Sequence, residues 1–515
     1  MLNFTHVFYC INFRHWQPPR KGSCSILIAT LLIQFAVPGT TTLAAEPVES
    51  EKWFLIEFDN HPVGFEHVKT RRTADATQPL LACYRKTELY LNRMGQNLTL
   101  RASLWTTQSP DGQLKSFSLQ RVDGAGTRIE RSGRLSATED AFVVKELVAA
   151  TRREFRVPVP SGTRSPIVSV WLPQSSTILN NRLNLPVFFP ETAGVATVTV
   201  EKKQDQEIRL NNKPFRAKRI EFYPDADPGR STTLFLDDQL SVVRQEKTFL
   251  SRLLSMQETS ADVALSASTN KTLDLDVQSL IPIDHLISGN GNYVARVLEL
   301  RVNSGFLPNI PDATFQSTES IDGSSTRLTL LPPKLPDRTN PSNAAAVHSA
   351  LATTRWLPVS DPALQSMALF NAGSERDPGA ICRRLEAAVH AKLRRSAFST
   401  ALLPANEVAK TLKGDCTEHA VLLATLMRIK GIPARVATGL VHTNQQYGFV
   451  GHAWVEALIG GQWIPFDSAV GQSGVTATYI KLTDSEMPDT LTSGVSLFLP
   501  VLELAGRASI HVVSD

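Results

Sequence analysis

Cysteine is scarce in this chain, which has five cysteines in 515 residues. This composition excludes the disulfide framework of a small secreted domain. If residues 1–45 are a removable leader, Cys83, Cys382 and Cys416 remain, an odd number that leaves at least one unpaired thiol. A bridge between Cys83 and Cys382 stays open beside the alternative of two ordinary buried cysteines.

Long apolar runs and an excess of one charge are missing as well. The apolar run over residues 26–37 is 12 residues long, whereas a membrane-spanning helix needs about 20. Basic residues precede this run and small residues follow it, which predicts a secretion signal over residues 1–45. Without that segment, 50 basic residues would stand against 49 acidic ones.

These absences lead to an expectation about where the protein works. We expect an exported protein, periplasmic or extracellular, whose mature chain has no membrane span and no nucleic-acid partner. The stretch before Arg14 is long for a signal, so an uncleaved anchor or a misplaced start codon stays open as an alternative. The sequence leaves the oligomeric state undetermined.

A β-rich domain is predicted over residues 50–260. Short runs with partial alternation, such as WFLIEF and LTLRASLW, are separated by turn sequences such as Pro110-Asp111-Gly112. The pattern favours an antiparallel meander, curved or sandwich-like, and the periodicity is lost over residues 251–276. This region shows no catalytic constellation.

His61, Glu66 and His67 lie close together in this β-rich region and have the side chains of metal ligands. Polar residues that alternate along a strand are more typical of a face exposed to water. We therefore interpret them as solvated strand residues and expect no metal there.

Three further units follow in the chain. A second β-rich segment is predicted over residues 261–332, in which VARVLELRV and RLTLLPP form strands around a turn-rich stretch. A linker rich in Pro, Asn and Ala is predicted over residues 333–350. The last domain is predicted over residues 351–515, and its C-terminal runs VSLFLPVLELAG and ASIHVVS are expected to complete its sheet.

One stretch in this last domain places a cysteine where a helix should begin. Gly414 and Asp415 form a turn ahead of Cys416, and Glu418 suits the first helical turn. Apolar residues then recur at helical spacing until Gly431 ends the helix. The thiol would lie at the positive end of the helix dipole, a setting that favours the nucleophilic thiolate.

Two strand-borne residues are predicted to join that thiol. His452 lies in the run GHAWVEALI, and Asp467 ends the run QWIPFD after a Gly-Gly turn. In adjacent antiparallel strands, two such side chains can pair. A thiol, a base and a carboxylate that orients the base form the arrangement that covalent acyl chemistry needs.

Two other interpretations of the cysteine stay open. Cys416 and His419 form a C-x-x-H pair that His442 and His452 could complete as a zinc site. Alternatively, Cys416 is a buried cysteine at a helix start with no chemical role.

The combined runs G-D-C-x-E-H-A, G-I-P-A-R-x-A-x-G, G-H-A-W-V-E and W-I-P-F-D resemble the transglutaminase-like superfamily, including its bacterial and archaeal cysteine peptidase homologues with a papain-like fold. The resemblance covers residues 356–471. It implies that Cys416 is the nucleophile, His452 the base and Asp467 the orienting carboxylate. It also implies an α+β domain in which the nucleophile's helix packs on an antiparallel sheet, and a supporting role for Arg435.

The function that follows is acyl transfer on amide bonds of a protein or peptide substrate, through a thioester and without cofactor or metal. Hydrolysis is favoured over cross-linking, and no acidic loop is available for the calcium that animal cross-linking members use. The backbone N–H of Cys416 is one expected donor to the oxyanion. Trp454 either flanks the base or belongs to the core. The rival hypothesis is an exported, catalytically inactive scaffold with the same fold.

Overall fold

The computed structural model describes residues 50–514 except 74–78, 94–95, 123–127, 149–150, 173–181, 212, 226–230, 250–251, 268–272, 275–279, 286, 288–294, 306, 337–343, 396–401, 444–446, 471–474, 490 and 492–496. The predicted leader over residues 1–45 lies outside the described residues. So do residues 337–343 of the predicted linker.

A large antiparallel sheet occupies the chain up to residue 259. Its strands follow the order β8-β7-β6-β5-β4-β3-β2-β1-β14-β13-β12-β11-β10-β9, so two meanders meet where β1 pairs with β14. The strands are β1 (Ser50–Phe58), β2 (His61–Arg72), β3 (Leu81–Arg93), β4 (Gln96–Gln108), β5 (Leu114–Val122), β6 (Arg128–Leu135), β7 (Ala141–Val148), β8 (Thr151–Pro158), β9 (Leu183–Phe189), β10 (Gly194–Leu210), β11 (Lys213–Pro224), β12 (Thr232–Leu236), β13 (Val242–Phe249) and β14 (Arg252–Thr259). The predicted antiparallel meander is confirmed.

The strand that joins the two meanders was not predicted. β14 falls in the stretch without periodicity, because Leu254, Ser255 and Met256 are all buried and no alternation is visible in the sequence. Two short helices accompany this sheet, α1 (Val168–Trp171) and α2 (Ala261–Ser266). A two-residue strand, β15 (Leu273–Asp274), runs parallel to β3.

The interpretation of Glu66 and His67 as solvated residues is wrong. Both are buried, because six consecutive residues of β2 are covered on both faces of the strand. The Glu66 carboxylate accepts a hydrogen bond of 3.1 Å from the Thr87 hydroxyl. The His67 ring stacks on Trp53 with 3.8 Å between centroids. Only His61 is exposed, as expected.

The second β-rich segment and the end of the chain share a four-stranded sheet. Its order is β18-β19-β17-β26, and the strands are β17 (Arg296–Val302), β18 (Gln316–Ser320), β19 (Ser325–Leu330) and β26 (Ala508–Ser514). β18 lies in the stretch predicted as turns. The expectation that the two C-terminal runs complete the sheet of the last domain is wrong: residues 499–504 are helical, with a proline in the first turn where its missing N–H is tolerated, and β26 pairs with β17.

The last domain packs helices on a second antiparallel sheet. Its strands follow the order β16-β23-β22-β25, with β24 also beside β23, and they are β16 (Ile281–Pro282), β22 (Ala434–Thr443), β23 (Gly448–Ile459), β24 (Gln462–Phe466) and β25 (Tyr479–Ser485). The helices are α3 (Ala344–Ser349), α4 (Pro362–Ala372), α5 (Pro378–Lys392), α6 (Ala405–Thr411), α7 (Cys416–Ile429) and α8 (Leu499–Leu504), and a two-stranded ribbon joins β20 (Arg394–Arg395) to β21 (Lys413–Gly414).

Helix α7 is the centre of this domain. Residues 416–428 are all buried, between β22 and β23 on one side and helices α4, α5 and α6 on the other. The predicted helix beginning at Cys416 and packed on an antiparallel sheet is therefore present. With the large N-terminal sheet included, the chain as a whole is mostly β.

Direct contacts join the large sheet to this domain. The Thr151 hydroxyl donates to Glu407 at 3.0 Å, and the Arg355 guanidinium donates to Glu146 at 3.0 Å. Among the described residues, none of the helices has the length and apolar character that a bilayer crossing requires. Cys83, Cys382 and Cys416 are buried and form no disulfide with one another, so the bridge considered from sequence is not made.

Candidate active site

Cys416 is held at the first turn of α7 by a capping box. The Asp415 carboxylate accepts from the Thr417 N–H at 2.8 Å, and the Glu418 carboxylate accepts from the Asp415 N–H at 2.9 Å. These bonds satisfy N–H groups that a helix start leaves without intrahelical partners. Gly414 is required here, since a Cβ at this position would lie 2.3 Å from the Glu418 Cβ.

The two carboxyl groups of the cap influence each other's protonation. Burial, together with the adjacent Asp415, raises the pKa of Glu418 well above its ordinary value. The raised pKa favours the uncharged form of Glu418, and less negative charge in the first turn leaves the positive end of the helix dipole at Cys416 less compensated. The local sequence therefore builds a helix start that suits a thiolate.

His452 and Asp467 are brought together by the β23–β24 hairpin. Phe466 pairs with Val455, so the next residue, Asp467, lies diagonally across from His452 on the same face. The His452 Nε2 is 2.7 Å from the Asp467 Oδ2, and both side chains are buried. With Nε2 engaged by the carboxylate, Nδ1 is the ring nitrogen that can exchange a proton with a thiol.

Asp467 is fixed by more partners than the sequence revealed. Its Oδ2 also accepts from the Tyr479 hydroxyl at 2.7 Å, and its Oδ1 accepts from the Ala469 N–H at 2.7 Å. Burial alone would raise the pKa of Asp467, but the His452 charge and these hydrogen bonds outweigh it and hold that pKa below its usual value. The carboxylate therefore stays charged beside the imidazole.

Tyr479 contacts two of the predicted residues and lies within electrostatic range of the third. Burial raises the pKa of its phenol, and negative charge at Asp467, Glu386 and Cys416 raises it further. Its ring centroid lies 5.9 Å from that of His452 in an edge-on arrangement. A single side chain is therefore within electrostatic reach of Cys416, in ring contact with His452 and hydrogen-bonded to Asp467.

Glu386 is a second carboxyl group behind Asp467. Its Oε1 accepts from the Asp467 backbone N–H at 2.6 Å. Burial, and then the charge of Asp467, raise the pKa of Glu386 to about 7, against the effect of that hydrogen bond and of Arg383. Its proton is therefore lost near neutral pH.

Sequence reasoning missed both Tyr479 and Glu386. Tyr479 opens an ordinary strand, and no motif surrounds it. Glu386 could have been recognised from the sequence. It lies four residues after Cys382, on the inward face of α5, where an acidic residue is unusual.

Trp454 both flanks the base and belongs to the core. It is 1% exposed. Its ring lies nearly parallel to that of His452, with 6.4 Å between centroids, and perpendicular to Tyr479 at 5.5 Å. Trp454 therefore fulfils both alternatives left by the sequence: it is a core residue, and its indole ring flanks the His452 imidazole.

Arg435 joins neighbouring strands of the sheet. Its guanidinium binds the fully buried Glu456, which also accepts from the Lys481 ammonium at 2.7 Å. The guanidinium also lies 4.0 Å from the centre of the Trp463 ring. These contacts connect β22, β23 and β25, which is the supporting position that the resemblance implied.

The alternative zinc site around the cysteine is not assembled. His419 Nδ1 lies 3.3 Å from the Ser468 hydroxyl, and the His442 ring packs on Phe449. In the part of the chain that the structure describes, Cys416, His419, His442 and His452 do not contribute to any group of three ligand atoms within 4.8 Å.

Residues 370–468 match the family model of the transglutaminase-like superfamily. The chain contains a transglutaminase-like domain. This confirms the resemblance seen in the sequence, and the matched segment of the domain includes Cys416, His452 and Asp467. No protein of curated function matches the sequence.

Three solved structures are similar to this chain at low identity. A "putative cysteine protease" from Cytophaga hutchinsonii is 19% identical over 42% of this chain and 86% of its own, with a TM-score of 0.28. A β-barrel-like protein of unknown function from Brucella abortus is 11% identical over 42% and 98%, with a TM-score of 0.31. A "putative protease" from Parabacteroides distasonis is 12% identical over 71% and 69%, with a TM-score of 0.21. These likenesses are too remote to assign an activity.

Proposed function

We propose that this chain is an exported transglutaminase-like cysteine enzyme that transfers acyl groups from amide bonds of proteins or peptides. One observation supports this above all. The His452 Nε2 lies 2.7 Å from the buried, charged carboxylate of Asp467. The strand that carries His452, β23, packs against helix α7, which begins at Cys416. Export rests on the leader expected over residues 1–45.

The first half of the reaction forms a thioester. The Cys416 thiol gives its proton to Nδ1 of His452, and Asp467 stabilises the resulting imidazolium. The thiolate sulfur attacks the amide carbon, and the carbonyl π electrons move to oxygen as an oxyanion. When that intermediate collapses, the C–N bond breaks and His452 returns the proton to the departing amine.

The second half resolves the thioester. Water loses a proton to His452 as its oxygen attacks the thioester carbon, the C–S bond breaks, and the proton passes to the Cys416 sulfur. A carboxylic acid is the product. The Cys416 backbone N–H at the start of α7 is the proposed donor to both oxyanions.

Hydrolysis is favoured over cross-linking for a steric reason. Among the described residues, Cys416 and His452 are only 5% and 7% exposed. Water needs little room beside a thioester in such a setting, whereas a protein-borne amine has to bring its whole side chain next to the acyl group. The large N-terminal sheet, which contacts this domain through Glu146 and Thr151, would hold the rest of the substrate.

The test is release of amine from casein and from short peptide amides by the wild-type chain and by Cys416→Ala. The proposal predicts turnover that disappears in the variant. Turnover that survives in Cys416→Ala would refute the assigned nucleophile. Absence of turnover from both, with substrate binding retained in both, would favour the inactive scaffold. Amine incorporation in place of hydrolysis would reverse the preferred acceptor.

A further inference from the structure

A second group of chemically reactive side chains lies outside the active site. One ligand atom from each of Asp284, His285 and His511 falls within 4.8 Å of the others. In the part of the chain that the structure describes, this is the one set of three histidine, cysteine or carboxylate groups that meets so closely. Imidazole nitrogen and carboxylate oxygen are ligands that Zn²⁺ takes in proteins, at about 2.0–2.2 Å.

The backbone holds the carboxylate in position before any ion arrives. Ile283 pairs with Ile510 in parallel register, and the Asp284 N–H donates to the Ile510 carbonyl at 3.2 Å. The Asp284 Oδ1 accepts from the Val512 N–H at 3.0 Å. Because these bonds flank His511 in the chain, they hold Asp284, which follows β16, beside His511 on β26.

Both imidazoles turn the same ring atom to this carboxylate. The His511 Nδ1 contacts the Asp284 Oδ2, and the His285 Nδ1 lies 3.2 Å from the Asp284 Oδ1. Two ring nitrogens and one carboxylate thus lie close enough together to share a cation in place of the protons between them. The side chains are open to water, with exposed fractions of 34% for Asp284, 70% for His285 and 44% for His511. An ion can therefore enter without displacing protein, and water can complete its coordination.

We propose that Asp284, His285 and His511 bind one Zn²⁺ ion. The site ties the C-terminal strand β26 to the segment after β16. Ile281 and Pro282 of β16 pair with Phe449 and Gly448 of β23, the strand that carries His452. The ion would thus fasten the end of the chain to the edge of the sheet that holds the proposed base. Metal that binds only the assembled site stabilises the folded chain.

The experiment uses the full chain with Cys416→Ala as the parent, because the reactive thiol and His452 could otherwise take up zinc themselves. After treatment with a chelator and its removal, the parent is titrated with Zn²⁺ alone in a calorimeter. We expect one equivalent bound. His285→Ala and His511→Ala should each weaken binding by about tenfold or more, since losing even an outer partner of a metal ligand has effects of about that size.

His61→Ala is the matched control, because His61 is another exposed histidine and its Nδ1 contacts the Asp59 carbonyl. Its zinc affinity should equal that of the parent. His285→Ala removes a mostly exposed ring, so its melting temperature without metal should match the parent. At one zinc concentration, zinc should raise the melting temperature of the parent by more than that of His285→Ala. The proposal would be overturned if the parent bound no zinc. It would also be overturned if His285→Ala and His511→Ala bound zinc as tightly as the parent does.

Discussion

Replacing Glu386 by glutamine removes a buried charge while keeping the hydrogen bond that supports Asp467. Glu386 is buried on α5, and its Oε1 accepts from the Asp467 N–H at 2.6 Å. A glutamine amide has the same size and offers a carbonyl oxygen in the same place. The substitution therefore separates the charge of this residue from its role in holding the Asp467 backbone.

The magnitude follows from the raised pKa. Burial, with the charge of Asp467, moves the pKa of Glu386 from 4.5 to about 7. Between those values the folded chain holds a proton that the unfolded chain has lost. The stabilisation from this proton is fully present below about pH 4.5 and is lost as the pH rises through about 7. At about 1.4 kcal/mol per pKa unit, the loss is about 3 kcal/mol.

Urea unfolding followed by tryptophan fluorescence measures this effect. Titrating groups that do not interact with Glu386 cancel in the difference between variant and wild type, so that difference reports Glu386 together with its effect on Asp467. We expect Glu386→Gln to gain about 3 kcal/mol relative to wild type when the pH is raised from about 4 to about 8. Glu154→Gln, whose side chain is 57% exposed, should show no such gain. Parallel pH profiles for Glu386→Gln and wild type would refute the reasoning.

Three other substitutions probe the site. Tyr479→Phe removes a hydrogen-bond donor from Asp467, so the pKa of that carboxyl should rise. The acid limb of the pH profile of kcat/KM should then move up by about one pH unit, because a hydrogen bond to a charged group contributes about 1.5 kcal/mol or more. Tyr90→Phe, which also loses a bond to a carboxylate, should leave the profile unchanged. Asp467→Asn should lower kcat by about 10⁴-fold if the carboxylate sets the imidazole tautomer. Gly414→Ala should disrupt the helix cap and lower stability by about 1–2 kcal/mol. Gly194→Ala should be tolerated, because its added Cβ would lie 3.6 Å from the Thr192 hydroxyl oxygen, an ordinary van der Waals contact.

Each of these has an outcome that counts against the account. An unshifted acid limb in Tyr479→Phe would mean that the phenol does not support the carboxylate. A kcat within about tenfold of wild type in Asp467→Asn would remove Asp467 from the orienting role. Equal stability of the two glycine variants would mean that the cap tolerates a Cβ.

The start of α7 was readable from the sequence because its determinants are local. Asp415 and Glu418 form a cap within four residues of one another, and Gly431 follows the last turn. Likewise, His452 lies on β23 and Asp467 comes directly after β24 of the same hairpin, where the turn sets the register. Most of the candidate site could therefore be predicted from patterns between residues that are close in the sequence.

Long-range partners could not be read in the same way. Glu386 reaches Asp467 from a helix 81 residues earlier in the chain. β26 leaves its expected sheet because the edge of β17 is available, and β17 lies some two hundred residues away. Which edge accepts a strand, and which buried polar group meets which partner, depend on the assembled fold rather than on residue type.

The central claim is that Cys416 is an activated nucleophile paired with His452, and the pH dependence of its alkylation by iodoacetamide tests this most directly. Cys416→Ala supplies the blank, and burial raises the pKa of the Cys382 thiol, which keeps that thiol unreactive. The account predicts half-maximal alkylation well below pH 8.5, about the ordinary value for a cysteine, and a shift to higher pH in His452→Ala. Half-maximal alkylation at or above that pH in the wild type, or equal profiles in wild type and His452→Ala, would contradict it.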